Sequence, residues 1–410
     1  MTPPAPTTTL LSPRVLFITG SLALLLALTL SPRTRALLGI FDLGRWFLDS
    51  HAVLYASDVA RSGLGPDEPR PADAFLQVHR YSDWWFGLRR LGLTREDNFL
   101  VGGAWVLLFL LAVFLTVKPR SRGEALWLVL LTGSPPVMLG LLRANSDLVI
   151  FAVLALVVPA LRTDTLPRLG LALAALVLAT GLKFYPVAAG LVFLLIPGPR
   201  RMLQVTGLAA LILGAVLVSV GSQLHRGIFH VEPEIYTMGG RIWLMDLGLT
   251  ERPAVIASIV LLGAAAVVVA WRGWTTGLAR PEGDPETRVA MTMAGALLVC
   301  CFLGTVNFGY RWIFALWLAP WLWQHRRGCV AARVTVWLLP VVLWHDAVLC
   351  LTTSLWFPSL KPEQYDRILV TWRLVTEPLV WLLMILLGGW LLDLVLARWR
   401  EVWAGEKGGA

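Results

Sequence analysis

The chain has 410 residues, of which 57% are hydrophobic and only 15% charged, and its mean hydropathy is +0.70. A soluble domain carries about 25% charged residues, so this composition excludes an ordinary water-soluble globular protein. The formal charge of +9 points to membrane topology rather than to nucleic acid, because the basic residues lie between long apolar runs.

In chain order, the Pro/Thr-rich opening 1–13 is expected to be a disordered cytoplasmic N-terminus. Apolar runs then predict membrane spans at roughly 14–31, 98–117, 124–141, 147–161, 168–183, 186–197, 203–221, 253–271, 289–305, 311–323, 332–350 and 374–397. That makes about twelve transmembrane or re-entrant helices, an all-α polytopic domain over 14–397 with a cytoplasmic tail at 398–410. Several runs fall short of the ~20 residues a full crossing needs. The pair around Lys183–Pro186 reads as re-entrant or broken helices. The first run is not expected to be a cleaved leader, since no small-x-small site follows it and further spans do.

Charge sets the orientation. With the N-terminus inside, the inner segments carry the full formal excess of +9, in residues such as Lys118, Arg120, Arg200, Arg201, Arg326, Arg327 and Arg333. Basic and acidic residues balance on the outer side, as the positive-inside rule requires. Arg33 and Arg35, just outside the first span, run against it. Cys300, Cys301, Cys329 and Cys350 lie in or beside apolar runs without metal spacing, so free cysteines are expected.

The outer loops, 31–97, 222–252 and 351–373, are long, while the inner ones are mostly turns. Function is expected on the elaborated side. In the first outer loop, apolar residues at helical spacing from Leu48 to Arg61 predict an interfacial helix. Asp49 stands at its start, where it is either an N-cap or a functional carboxylate. Asp42, Asp58 and Asp83 are the other carboxylates considered in this loop, and Asp58 reads as part of a solvated face. Further on, Arg80, Tyr81, Asp83, Trp84 and Trp85 form either an aromatic belt or a platform for a sugar and a phosphate.

Three polar islands then interrupt apolar runs: Arg143, Asn145 and Asp147; Lys183 and Tyr185; and Asn307, Tyr310 and Arg311. Ionisable groups in or beside spans are costly, so they stand as functional candidates, with snorkelling to the interface as the plain alternative. Three cationic islands on one side, beside a loop rich in carboxylates, point to an anion site. His345 and Asp346 make a weaker fourth island.

These islands, RANSDLVIF (143–151), LKFYP (182–186) and NFGYRWIF (307–314), resemble segments of bacterial membrane glycosyltransferases of the GT-C superfamily. The resemblance is closest to glycosyltransferase family 87 and its DUF2029-like relatives, and the spacing of Asp49 through Gly63 is similar to their first outer loop. The sequence departs from that pattern at Ser50, at Tyr81–Asp83 and at Arg143.

The resemblance implies a GT-C-like fold in a bacterial inner membrane, with cytoplasmic termini and a periplasmic site. It implies inverting transfer of a mannose-like hexose or a pentose from a polyprenyl-phosphate sugar to a lipid or glycan acceptor. Asp49 would be the base. Lys183, Arg311, Arg80 and Arg143 would hold the donor phosphate. Asn145, Asp147, Tyr185, Asn307, Tyr310, Asp83 and Trp84 would contact the sugar or acceptor. No cofactor, metal or nucleic-acid partner is expected. The competing readings are a transporter or lipid flippase, and a non-catalytic subunit that retains the fold.

Overall fold

The computed structural model describes residues 12–40, 46–61, 63, 81–223, 235–279, 284–304, 307–357, 359 and 361–407. Asp42 and Arg80 lie outside the described residues. The first helix, α1 (Pro13–Leu30), is capped by the Ser12 hydroxyl and is followed by the short α2 (Pro32–Leu37). Next come the loop helix α3 (Leu48–Arg61) and the 3-10 segment Asp83–Leu91. The chain continues through α4 (Asn98–Thr116), α5 (Arg122–Thr132), α6 (Pro135–Arg143), α7 (Ser146–Leu154), α8 (Val157–Ala160) and α9 (Leu166–Leu182). A 3-10 segment, Tyr185–Leu195, leads to α10 (Pro199–Ser219). Beyond it lie α11 (Gly240–Asp246), α12 (Glu251–Trp271), α13 (Thr276–Ala279) and α14 (Pro285–Gly304). The 3-10 segment Gly309–Phe314, α15 (Ala315–His325), α16 (Val330–Trp356) and the long α17 (Pro362–Lys407) complete the chain.

Among the described residues, seven helices are long and apolar enough to cross a membrane, and up to eight if the bent pair α5–α6 is one span. That pair turns by 55°, at Gly133, Ser134 and Pro135, where the following prolines restrict the backbone. Three expected runs form shorter apolar helices, at Ser146–Ala160, Leu166–Leu182 and Tyr185–Leu195. The chain is thus an all-α membrane protein by helix length and hydropathy.

Burial separates centre from periphery. Helix α14 is covered on nearly all sides, packing on α15, α17 and the Tyr185–Leu195 segment. An apolar helix buried all round belongs to an interior. Helices α4, α10 and α12 instead leave most of their apolar residues uncovered, among them Leu107, Leu111, Leu211, Ile256 and Val260. In water such faces would aggregate, and against lipid they are at home.

Arg35, one of the charges at odds with the orientation rule, is buried and donates to the carbonyls of Leu28 and Thr29 at the end of α1. It satisfies orphan carbonyls at a helix C-terminus, which favours a cation wherever that terminus lies. Polar pairs also tie the helices around α17: Arg373 grips Asp246 of α11 bidentately at 2.9 and 3.0 Å, and Arg241 of α11 meets Glu251 of α12 at 2.7 Å. All four cysteines are free; Cys300 is half-buried and the other three are buried.

Candidate functional site

The three islands converge because each sits at a helix break. Arg143 ends α6, and Ala144, in the left-handed region at φ 43°, turns the chain so that Asn145 caps α7. Lys183 follows the last residue of α9 and Tyr185 opens the next 3-10 segment. Tyr310 and Arg311 lie in the 3-10 segment after α14. That segment packs closely on α6 because Gly140 has no side chain: a Cβ there would come within 3.3 Å of the Tyr310 Cβ.

The predicted loop helix matches α3 from Leu48 to Arg61, but Asp49 is not its N-cap. Helix geometry begins one residue earlier, after Phe47, which sits in the left-handed region at φ 62°. The N-cap reading is therefore corrected: Asp49 lies in the first turn, where the helix dipole favours a carboxylate, and its side chain crosses to the first island. Phe47 is held in its costly conformation by its N–H bond to the Leu142 carbonyl at 2.9 Å. Its ring occupies space that a Cβ on Gly102 would take, at 2.5 Å.

Two carboxylates organise the centre. Asp49 receives Arg143 bidentately, with Nη2–Oδ1 at 2.6 Å and Nε–Oδ2 at 3.0 Å, and Asn145 Nδ2 at 2.5 Å. Asp147 Oδ1 receives Lys183 Nζ at 2.5 Å and the Tyr185 hydroxyl at 2.6 Å, and Arg311 Nε stands 3.6 Å from Oδ2. Asn145 Oδ1 joins the halves, accepting the Asp147 N–H at 2.8 Å and Lys183 Nζ at 3.5 Å. The Asp147 side chain is fully buried and that of Asp49 is 5% exposed, whereas Arg143 keeps 24% and Arg311 19%. The accessible face is cationic and the carboxylates lie behind it.

Aromatic rings frame the cations. Lys183 Nζ is 5.6 Å from the Tyr81 ring centre and 6.0 Å from that of Tyr310, and Arg311 lies 4.8 Å over Tyr185. Distances of this order are favourable for a cation on a ring. Burial, reinforced by the Asp49 charge, pushes the Tyr81 phenol well above its ordinary value, so the hydroxyl keeps its proton.

Asp49, Arg143, Asn145, Asp147, Lys183, Tyr185, Tyr310 and Arg311 thus share one cluster. The other candidates take different places. The Asn307 amide donates to the Cys301 carbonyl at 2.5 Å, in the last turn of α14. The Asp83 N–H donates to Gln223 at 2.9 Å. Asp58 accepts the Arg95 N–H at 3.1 Å, so it ties two parts of the loop together rather than forming only a solvated face. Trp84 is exposed and rests where a Cβ on Gly181 would clash. Trp85 belongs to no belt: it is buried, tilts against Trp105 with ring centres 5.1 Å apart, and its Nε1 donates to the Leu182 carbonyl at 3.1 Å.

Sequence reasoning missed Tyr236. Its N–H donates to Asp346 at 2.7 Å, and its carbonyl accepts the Gly309 N–H beside Tyr310 and Arg311. This continues as an antiparallel bridge between β1 (Thr237–Met238) and β2 (Asn307–Phe308). Asp346, half of the weakest island, acts through this connection, and His345 meets it at 3.2 Å. A two-residue strand has no periodicity to detect, so only the loop's Gly and Pro content could have hinted at it.

No family model matches the chain, and none of the curated proteins matches its sequence.

Proposed function

We propose that the chain is a membrane glycosyltransferase that takes a sugar from a polyprenyl-phosphate donor and passes it, with inversion, to a lipid or glycan hydroxyl on the outer face. The observation that carries this reading is the cationic face of Arg143 and Arg311, backed by Lys183, over two sheltered carboxylates at the base of the first outer loop. Such a face suits a phosphate, and guanidinium groups suit it best.

In the reaction, the acceptor oxygen forms a bond to the anomeric carbon as the bond from that carbon to the phosphate oxygen breaks. The bonding electrons leave with the polyprenyl phosphate, whose growing charge Arg311, Lys183 and Arg143 stabilise. The acceptor proton passes to Asp49, a transfer worth roughly 10²–10⁴-fold. Asp49 begins engaged with Arg143. Donor phosphate competes for that guanidinium, and Arg143 moving toward it frees the carboxylate, so donor binding precedes activation of the base. The sugar is a mannose-like hexose or a pentose, the transmembrane or re-entrant helices number about twelve, and the membrane is a bacterial inner membrane.

One observation favours a second reading, a non-catalytic subunit with the same architecture. Asp49 already accepts from Arg143 and Asn145, a set sufficient for a purely structural carboxylate. The test is incubation of the purified chain with a panel of polyprenyl-phosphate sugars, scoring release of polyprenyl phosphate. Time-dependent release that is lost in Asp49→Asn supports the enzyme. Donor binding without release from any member of the panel supports the subunit.

A further inference from the structure

At the end of α15 and the start of α16, the chain forms a hollow of about 320 Å³ lined by Trp323, Arg326, Arg327, Arg333, Val336 and Trp337. Three arginines and two indoles line it, and no carboxylate does. Among the described residues none of the three guanidinium groups enters an ion pair. Glu124, a buried carboxylate in the first turn of α5, lies within electrostatic reach of Arg326 but forms no ion pair with it, and its Oε2 accepts the Arg120 N–H at 2.8 Å.

Arg326 and Arg333 are held in place without being used up. Arg326 stacks on Trp323, with its guanidinium carbon 4.0 Å from the ring centre, and donates to that residue's carbonyl. Arg333 donates to the carbonyls of Arg326 at 3.2 Å and Arg327 at 3.3 Å. Each guanidinium carries five N–H donors, so most remain for an anion.

The positive-inside rule accounts for arginines in this turn but not for their convergence with two indoles on one hollow. The surface beside it matters as much. Val330, Arg333, Trp337, Val341, Val348 and Leu355 are exposed at spacings of three, four and seven, which places them on one stripe of α16. Below Arg333 that stripe is wholly apolar and runs the length of a helix long enough to cross a membrane.

We infer that this hollow binds the phosphate of an anionic phospholipid, with an acyl chain lying along the α16 stripe. Arginine supplies the charge-assisted bonds to the phosphate, and Trp337, exposed one turn beyond Arg333, suits the interface beside it, where indoles are favoured. This site shares no residue with the Asp49 cluster, and it stands whether or not the chain is an enzyme.

The test uses the full chain in detergent, with phosphatidylglycerol, phosphatidylcholine or inorganic phosphate added, reading bound lipid by native mass spectrometry and melting temperature in parallel. Phosphatidylglycerol is expected to bind and to raise the melting temperature, while phosphatidylcholine and inorganic phosphate do neither. Arg326→Gln with Arg333→Gln is expected to weaken phosphatidylglycerol binding by about fivefold for each arginine removed. Arg333→Gln alone, at an exposed helix position, gives the same reading should the double variant fail to fold. Equal binding of phosphatidylcholine, or full binding by the variants, overturns the proposal. Equal protection by inorganic phosphate overturns the lipid as occupant and leaves a free-anion pocket.

Discussion

Arg143 closes on Asp49 through two nitrogens, with Nη2–Oδ1 at 2.6 Å and Nε–Oδ2 at 3.0 Å, across 94 positions of sequence. The pair joins the loop helix α3 to the break between α6 and α7. Its two members differ in exposure, 5% for the Asp49 side chain against 24% for Arg143. The cation can therefore change partner while the carboxylate stays sheltered.

The first prediction separates chemistry from architecture at this pair. Asp49→Asn should abolish sugar transfer without weakening donor binding, since the donor phosphate then no longer competes with a carboxylate for Arg143. Its cost in stability should fall below the roughly 3–5 kcal/mol of breaking a fully buried pair, because Arg143 keeps contact with solvent. Asp58→Asn and Asp83→Asn serve as controls for loop damage and should retain turnover. Wild-type turnover in Asp49→Asn would remove the base from this residue.

Asp147 should behave in the opposite way. Its side chain is fully buried and faces Lys183, Tyr185 and Arg311. Asp147→Ala leaves two cations facing each other without a counter-charge, and should cost about 3–5 kcal/mol of stability. Thermal unfolding in detergent measures this, and a shift no larger than that of Asp58→Asn contradicts it.

Arg311 should distinguish geometry from charge. Arg311→Gln should raise the donor concentration needed for half-maximal turnover by at least about tenfold, the scale of one charged contact to phosphate. Arg311→Lys should remain impaired, because an ammonium reproduces neither the planar fork nor the stacking over Tyr185. Donor titrations of the two variants decide it, and full recovery in the lysine variant would reduce Arg311 to a point charge.

Gly102 offers a test remote from the charges. A methyl group there meets the Phe47 ring at 2.5 Å, and Phe47 stands two residues before Asp49. Gly102→Ala should destabilise by about 1–3 kcal/mol through overpacking and should displace Asp49, lowering turnover. Adding Phe47→Ala should restore part of both losses. Strict additivity in this double-mutant cycle refutes the contact.

Orientation is open to impermeant thiol reagents in intact cells, once the four native cysteines are replaced. Cysteines at Arg90 and Glu363 should label, and cysteines at Arg200 and Arg327 should be shielded; all four positions are exposed in the fold. The reverse pattern would place the Asp49 cluster in the cytoplasm.

The sequence by itself determined the class of protein, the loop helix from Leu48 to Arg61, and the residue types of the islands. Hydropathy and charge cost act on each segment locally, so apolar runs and the ionisable residues that interrupt them can be read in place. What only the tertiary structure decided is who meets whom. Asp49 as a possible cap and Asp49 as the anchor of Arg143 are the same letter in the same local context, and the difference lies in a partner 94 residues away. Trp85 likewise reads as an interfacial indole until Trp105 and the Leu182 carbonyl enclose it. The left-handed turn at Phe47 carries no signature residue, since only the Leu142 carbonyl and the space at Gly102 make it affordable. Burial, pairing and backbone strain are set by contacts between distant segments, and these exist only once the chain has folded.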